Sequence, residues 1–123
     1  MLVVDDDDDS LTLMAYVLEQ LSCRTYFVAD GLAAIAAAKQ HRPQLILSDI
    51  YLPEIDGYGL IQQLRADSNT RNIPVVAVTA LAGLDYQRKI LTAGFDDYIS
   101  KPFLIQALEQ MIGRFLSLPQ MAS

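Results

Sequence analysis

Cysteine is nearly missing from this chain. Cys23 is the single one, so no disulfide can form within the chain, and with no histidine near it to activate the thiol it reads as core filling at the end of a helix. Long apolar runs are missing too. None approaches the roughly 18 residues that span a bilayer, and no basic segment leads into an apolar one at the start. A membrane span and a secretory signal are therefore not expected, and a soluble, cytoplasmic protein is. Positive charge is scarce: nine Lys and Arg face fifteen Asp and Glu, for a net charge of -6 and a pI near 4.4. That balance speaks against a nucleic-acid-binding surface. Internal repeats, low-complexity segments and linkers are not seen either, so the 123 residues read as one domain, 1–123. What is present is a chain 52% hydrophobic with a mean hydropathy of +0.24, which suits a well-buried α/β domain and is too apolar for a disordered one.

The stretch Leu45-Ile46-Leu47-Ser48-Asp49 organises the reading. It is a short apolar run of the kind a strand buried on both faces of a parallel sheet shows, and it stops at a carboxylate. Met1 to Val4 has the same design and ends at Asp5. Between them, Leu11, Met14, Ala15, Leu18 and Leu21 recur at helical spacing, with Asp7 to Ser10 supplying a cap and first-turn acids. Arg24 to Val28 reads as a second strand closed by Asp30-Gly31. Leu32 to Gln40 is an alanine-rich helix with Leu32, Ile35 and Ala36 on its inward side, and Pro43 separates it from the Asp49 strand. After the Asp56-Gly57 turn signal, Leu60, Ile61 and Leu64 mark a third helix that fades into a polar loop at Ala66 to Asn72. Pro74 opens a strand continued by Val75 to Val78, Tyr86 to Ala93 is a helix capped by Gly94, and Asp97 to Ser100 is a fifth strand. Leu104, Leu108, Met111, Ile112 and Phe115 make a last amphipathic helix, and the tail after Leu116 carries no pattern. Five strand–helix alternations with short connections predict a doubly wound parallel sheet with helices on both faces.

On that scheme Asp5 and Asp6, Asp49, Thr79 and Lys101 follow strands 1, 3, 4 and 5 at one edge of the sheet. Strand 2 contributes nothing comparable, which places it at the sheet edge with strands 1 and 3 adjacent at the switch point. Three converging carboxylates repel, since two unit charges about 4 Å apart cost about 4 kcal/mol at an effective dielectric near 20. The cluster implies a cation, and an all-oxygen ligand set completed by water and phosphate suits Mg2+. Lys101 then offers a point charge and Thr79 a hydroxyl to phosphoryl oxygens, and Asp49, placed deepest between them, is the natural nucleophile. Each piece alone has an ordinary explanation: a helix cap, a strand-end hydrogen bond, a surface charge. Their joint placement on one edge makes an aspartyl-phosphate site.

With Val3-Val4-Asp5-Asp6, Asp49 followed by Leu52-Pro53 and Asp56-Gly57, Val78-Thr79-Ala80, and Tyr98 three residues before Lys101-Pro102-Phe103, the chain resembles a response-regulator receiver domain, of the stand-alone chemotaxis type in length. The resemblance covers essentially the whole chain. It implies a flavodoxin-like sheet of order 2-1-3-4-5 and phosphorylation of Asp49 by a histidine kinase or phosphotransfer protein, followed by slow self-dephosphorylation. It also implies Mg2+, with Mn2+ or Ca2+ as substitutes, held by Asp6, Asp49 and the Tyr51 backbone carbonyl, Asp5 acting largely through water. Thr79 and Tyr98 would be the switch pair, and helix 4, strand 5 and helix 5 the output surface for a downstream protein. Lys101-Pro102 is a candidate cis peptide. Two features depart from the pattern: the first strand is only Met1 to Val4, and five acids stand where two are asked for. Asp5 and Asp6 are assigned by their distance from the strand, Asp7 as a supporting acid, Asp8 and Asp9 as partners of the helix dipole.

Other readings fit less well. A haloacid-dehalogenase-type phosphatase would be a true enzyme rather than a switch, but requires a second Asp two residues after the first, where this chain has Tyr51. A flavodoxin-like redox module would place a cofactor phosphate against five aspartates. An EF-hand counted from Asp5 meets Ser10 in place of glycine and Tyr16 in place of the bidentate glutamate. A receiver-like interaction module that is never phosphorylated is disfavoured by the intact acidic pair, acceptor, Thr79 and Lys101. With no DNA-binding segment in the 123 residues, the expected output is a protein surface, of this chain or of a longer regulator or hybrid kinase from which it comes. Tyr51 and Leu81 flank the site and are expected to influence how fast water reaches the phosphoryl group.

Overall fold

In the computed structural model, which describes residues 1–21, 24–80 and 83–116, strands and helices alternate strictly. The strands are β1 (Leu2–Val4), β2 (Tyr26–Val28), β3 (Ile46–Ser48), β4 (Val75–Thr79) and β5 (Asp97–Ser100). The helices are α1 (Asp8–Glu19), α2 (Gly31–His41), α3 (Gly57–Ala66), α4 (Leu84–Ala93) and α5 (Ile105–Leu116). All strand pairs are parallel and the order is β2-β1-β3-β4-β5, as the sequence predicts. The brevity of β1 does not weaken its place: its three residues pair on both sides, Val3 with Phe27 of β2 and with Leu47 of β3.

Strand alternation divides the core in two. Val3, Leu45, Leu47, Val76, Val78 and Ile99 point to one face and pack against α1 and α5. Leu2, Val4, Ile46, Val75 and Ala77 point to the other, against α2, α3 and α4. Both faces are covered, which is why β1, β3 and β4 read as unbroken apolar runs.

Helix faces agree with the sequence pattern in α3 and α5, where Leu60, Ile61, Leu64, Leu108, Met111 and Ile112 are buried. Phe115 is half-buried, while Leu104 precedes α5 and is exposed. In α1 the buried stripe is Met14, Val17, Leu18 and Leu21, so Val17 takes the inward place assigned to Ala15, which faces solvent. The larger correction is α2. Its buried residues are Gly31, Ala34 and Ala38, while Leu32 is 50% exposed, Ala36 is exposed and Ile35 is half-buried. Small side chains let α2 approach its neighbours closely, so the inward face of this helix is marked by the lack of volume, not by leucine.

The helix ends follow capping chemistry. Asp7, Asp30 and Asp56 are the N-caps of α1, α2 and α3, each accepting a backbone N–H three residues on, from Ser10, Ala33 and Gly59. The Ser10 hydroxyl and N–H together hold the Asp7 carboxyl below the usual carboxylate value. Gly94 ends α4 at φ 117, a conformation that side chains with a β-carbon resist. At the sheet edge away from the acidic cluster, the Arg65 guanidinium donates to the carbonyls of Gly94, Arg71 and Ile73 and to the Asp96 carboxylate, fastening α3 to the end of α4. The expectations for Cys23 and for the tail beyond Leu116 lie outside the described residues.

Candidate functional site

Backbone ladders place the site. Each of three key residues is the next rung after its strand: Asp5 N–H donates to the Val28 carbonyl at 3.1 Å, Asp49 N–H to Val4 at 2.9 Å, and Lys101 N–H to Thr79 at 2.8 Å. Register therefore brings residues far apart in sequence to one edge. It also explains why the acids stop where they do, since Val4 and Ser48 are still inside the sheet.

The side chains converge there. Carboxylate oxygens of Asp5, Asp6 and Asp49 all lie within 4.8 Å of one another. Lys101 Nζ stands between two of them, 2.9 Å from Asp5 Oδ2 and 3.0 Å from Asp49 Oδ2. Burial is the strongest influence on that ammonium and pulls its pKa down, but hydrogen bonds to Asp5 and Asp49 and their charges outweigh it, and the pKa lies above the ordinary lysine value. The peptide bond from Lys101 to Pro102 is cis.

Depth differs from the sequence expectation. Asp5, not Asp49, is the most buried acid: its side chain is 5% exposed against 15% for Asp49. The reason is that β1 lies between two paired strands, and the chain turns at once into α1, with Asp7 N–H donating to Asp5 Oδ1 at 2.9 Å. Asp6 is exposed at the rim. Asp49 thus has the more open carboxylate of the two that Lys101 bridges.

Asp49 is oriented by the loop that follows it. Its Oδ1 accepts the N–H groups of Ile50 at 2.6 Å and Tyr51 at 3.3 Å, leaving Oδ2 toward Lys101. The Ser48 hydroxyl, fully buried, donates to the Asp49 carbonyl at 2.8 Å. Sequence reasoning missed these supports, because main-chain donors leave no residue-type signature; the only hint was the Asp56-Gly57 turn, whose Gly57 N–H closes the loop on the Ile50 carbonyl at 2.6 Å. Thr79 is buried at the end of β4. The Tyr51 side chain is exposed. Tyr98 lies within β5, in register with Ala77, and packs against the α2–α3–α4 core, so it is not part of the acid cluster. Leu81 lies outside the described residues.

Three carboxylates and one ammonium leave the cluster an excess of negative charge, and every free donor is oxygen. That set fits a hard divalent cation such as Mg2+, with Asp5, Asp6 and Asp49 to hold it.

Residues 1–113 match the response regulator receiver domain. The chain belongs to this family. As a receiver domain of the two-component systems it is a signalling switch by class, and receiver domains bind Mg2+ at an acidic pocket. It is 35% identical over 116 residues to the polar-differentiation response regulator DivK of Brucella anthropi, covering 94% of both chains. It is 36% identical to the DNA-binding dual master transcriptional regulator RpaA of Synechocystis, covering 96% of this chain and 48% of that one. Among solved structures it resembles the receiver domain of the sensor histidine kinase PA1611 from Pseudomonas aeruginosa, with a TM-score of 0.87 and 37% identity over 94% of this chain and 95% of the other. That structure has a magnesium ion coordinated in its active-site cleft. No described helix is long and apolar enough to cross a membrane.

Proposed function

We propose that this receiver accepts a phosphoryl group on Asp49 from the phosphohistidine of a histidine kinase or phosphotransfer protein, and that the added charge switches a surface read by a downstream protein. The observation that carries the reading is the bridge from Lys101 to Asp49 and Asp5, beside a third carboxylate. Asp49 Oδ2 is the attacking atom, since Oδ1 is engaged by two N–H groups of its own loop. As the new O–P bond forms, the P–N bond to the donor imidazole breaks and its electron pair returns to the ring nitrogen, which is protonated from solvent. Lys101 turns its ammonium to a phosphoryl oxygen, and the Thr79 hydroxyl serves another. Asp5, Asp6 and Asp49, with the Tyr51 carbonyl, would hold Mg2+, with Mn2+ or Ca2+ as substitutes; the ion supplies positive charge against the phosphoryl oxygens. Slow attack of water on phosphorus releases phosphate and restores the carboxylate.

Thr79 and Tyr98 are the proposed switch pair. Thr79 stands at the strand end beside Lys101, and Tyr98 is only half-buried on the next strand, so both can report a change at Asp49 to the surface of α4, β5 and α5. The proposed setting is cytoplasmic, with 1–123 acting as a single receiver unit. The test is transfer from a purified phosphorylated phosphotransfer domain. Label is expected to move to this chain in Mg2+ and to stay on the donor when the metal is chelated; transfer indifferent to chelation removes the metal from the scheme.

A further inference from the structure

We infer that Gly31, at the start of α2, is a positioning residue for the Asp49 acceptor, acting through Ile55; this rests on the reading of Asp49 given above. Strand 2 and the turn after it looked irrelevant to the site from the sequence, yet the loop that carries the acceptor is seated on that turn.

The loop from Asp49 to Gly57 is a closed unit. Gly57 N–H bonds the Ile50 carbonyl at 2.6 Å, Ile55 N–H bonds Pro53 at 2.8 Å, and Glu54 between them takes φ 68, a left-handed value that only a fixed turn imposes on glutamate. Ile55 is the foot of this unit. A β-carbon built on Gly31 would lie 2.6 Å from the Ile55 carbonyl oxygen and 3.1 Å from its Cβ, and one built on Gly59 would lie 2.7 Å from Ile55 Cγ2. Ile55 is thus clasped between the first residue of α2 and the first turn of α3, at distances that permit only hydrogen on either side. Gly31 in turn is fixed by its neighbour Asp30, whose carboxylate caps α2 through Ala33 N–H at 2.7 Å.

The chemical consequence lies at the other end of the loop. The N–H groups of Ile50 and Tyr51, which hold Asp49 Oδ1, belong to the same closed unit. A methyl group on Gly31 meets backbone, not a flexible side chain, so the loop must move as a body and carry those two donors with it. Gly31 needs no left-handed φ, and alanine is the better helix former, so a glycine without this seating role would be neutral or stabilising to replace.

The test is Gly31→Ala in the full chain, with Gly59→Ala and Gly59→Ala/Ile55→Leu as the second set; leucine lacks the Cγ2 that Gly59 faces. Two quantities are read: the amide NMR shifts of Ile50 and Tyr51 without metal, and the rate of phosphorylation by acetyl phosphate in Mg2+. In Gly31→Ala both amides are expected to move and the rate to fall about tenfold, since sub-ångström misplacement of a reacting group is enough for that. Gly59→Ala should show the same effects and the double variant should regain the wild-type amide shifts. Should Gly31→Ala fail to fold, the Gly59 pair decides alone. Unmoved Ile50 and Tyr51 amides in a folded Gly31→Ala or Gly59→Ala overturn the inference. If wild type itself takes no phosphoryl group while the amides respond, the reading of Asp49 falls and the seat stands as geometry only, which removes Gly31 from any catalytic role.

Discussion

Lys101 donates to Asp5 across 96 residues of sequence, Nζ to Oδ2 at 2.9 Å, and Asp5 is the most buried acid of the cluster. One ammonium thereby ties the end of β5 to the end of β1 and screens Asp5 from Asp49. Replacing Lys101 by Met leaves the carboxylates without their internal cation. The variant is expected to melt lower than wild type without metal and to gain more from Mg2+ than wild type does, because a competing positive charge is gone. Its phosphorylation should slow by about a hundredfold, as for loss of one preorganised charge at a transition state. Metal-dependent stabilisation equal to wild type would show that the ammonium and the metal do not share the cluster.

The same lysine sets an alkaline limit. Its pKa is raised above 10.5 in the fold, so the stability it contributes is complete below that ordinary value and is lost as pH rises through the raised one. The difference in melting temperature between wild type and Lys101→Met should stay constant from neutral pH to about pH 10 and narrow only beyond it. A gap that closes near neutrality contradicts the sign.

Asp6 stands at the exposed rim, outside the Lys101 bridge. Asp6→Asn removes one of three like charges, so the protein without metal should be as stable as wild type or more so. Stabilisation by Mg2+ should shrink, since a ligand bound only to the folded state stabilises in proportion to its affinity. Thermal melts with and without the metal measure both effects, and an unaltered Mg2+ response would take Asp6 out of the site.

Far from the cluster, Arg65 spans four acceptors that lysine cannot reach together. Arg65→Lys is expected to cost about 2 kcal/mol of unfolding free energy, the scale for losing charged hydrogen bonds to partly buried acceptors. Urea denaturation measures it. A loss within noise would mean that water replaces the guanidinium without penalty.

Much of this was legible in the sequence, and unevenly so. Asp5, Asp49 and Lys101 could be placed because each follows an apolar run, and parallel register turns a run's end into a position in space. Strand order followed from which strand ends carried chemistry. The inward face of α2 was not legible, because Ala34 and Ala38 are chosen for smallness, and hydrophobic bulk at Leu32 pointed the wrong way. The depth of Asp5 was hidden for a related reason: a run of five identical acids has no internal contrast, and only the Asp7 cap and its N–H to Asp5 tell them apart. The holders of Asp49 Oδ1 are main-chain groups, which any residue type supplies.

The central claim is that Asp49 is the phosphoryl acceptor, and the most direct test is intact-mass spectrometry of wild type and Asp49→Asn after incubation with Mg2+ and acetyl phosphate. Wild type is expected to gain a single phosphoryl mass, localised to the peptide containing Asp49, and Asp49→Asn to gain none. Equal labelling of the two, or a label placed on another residue of the wild type, would contradict the account.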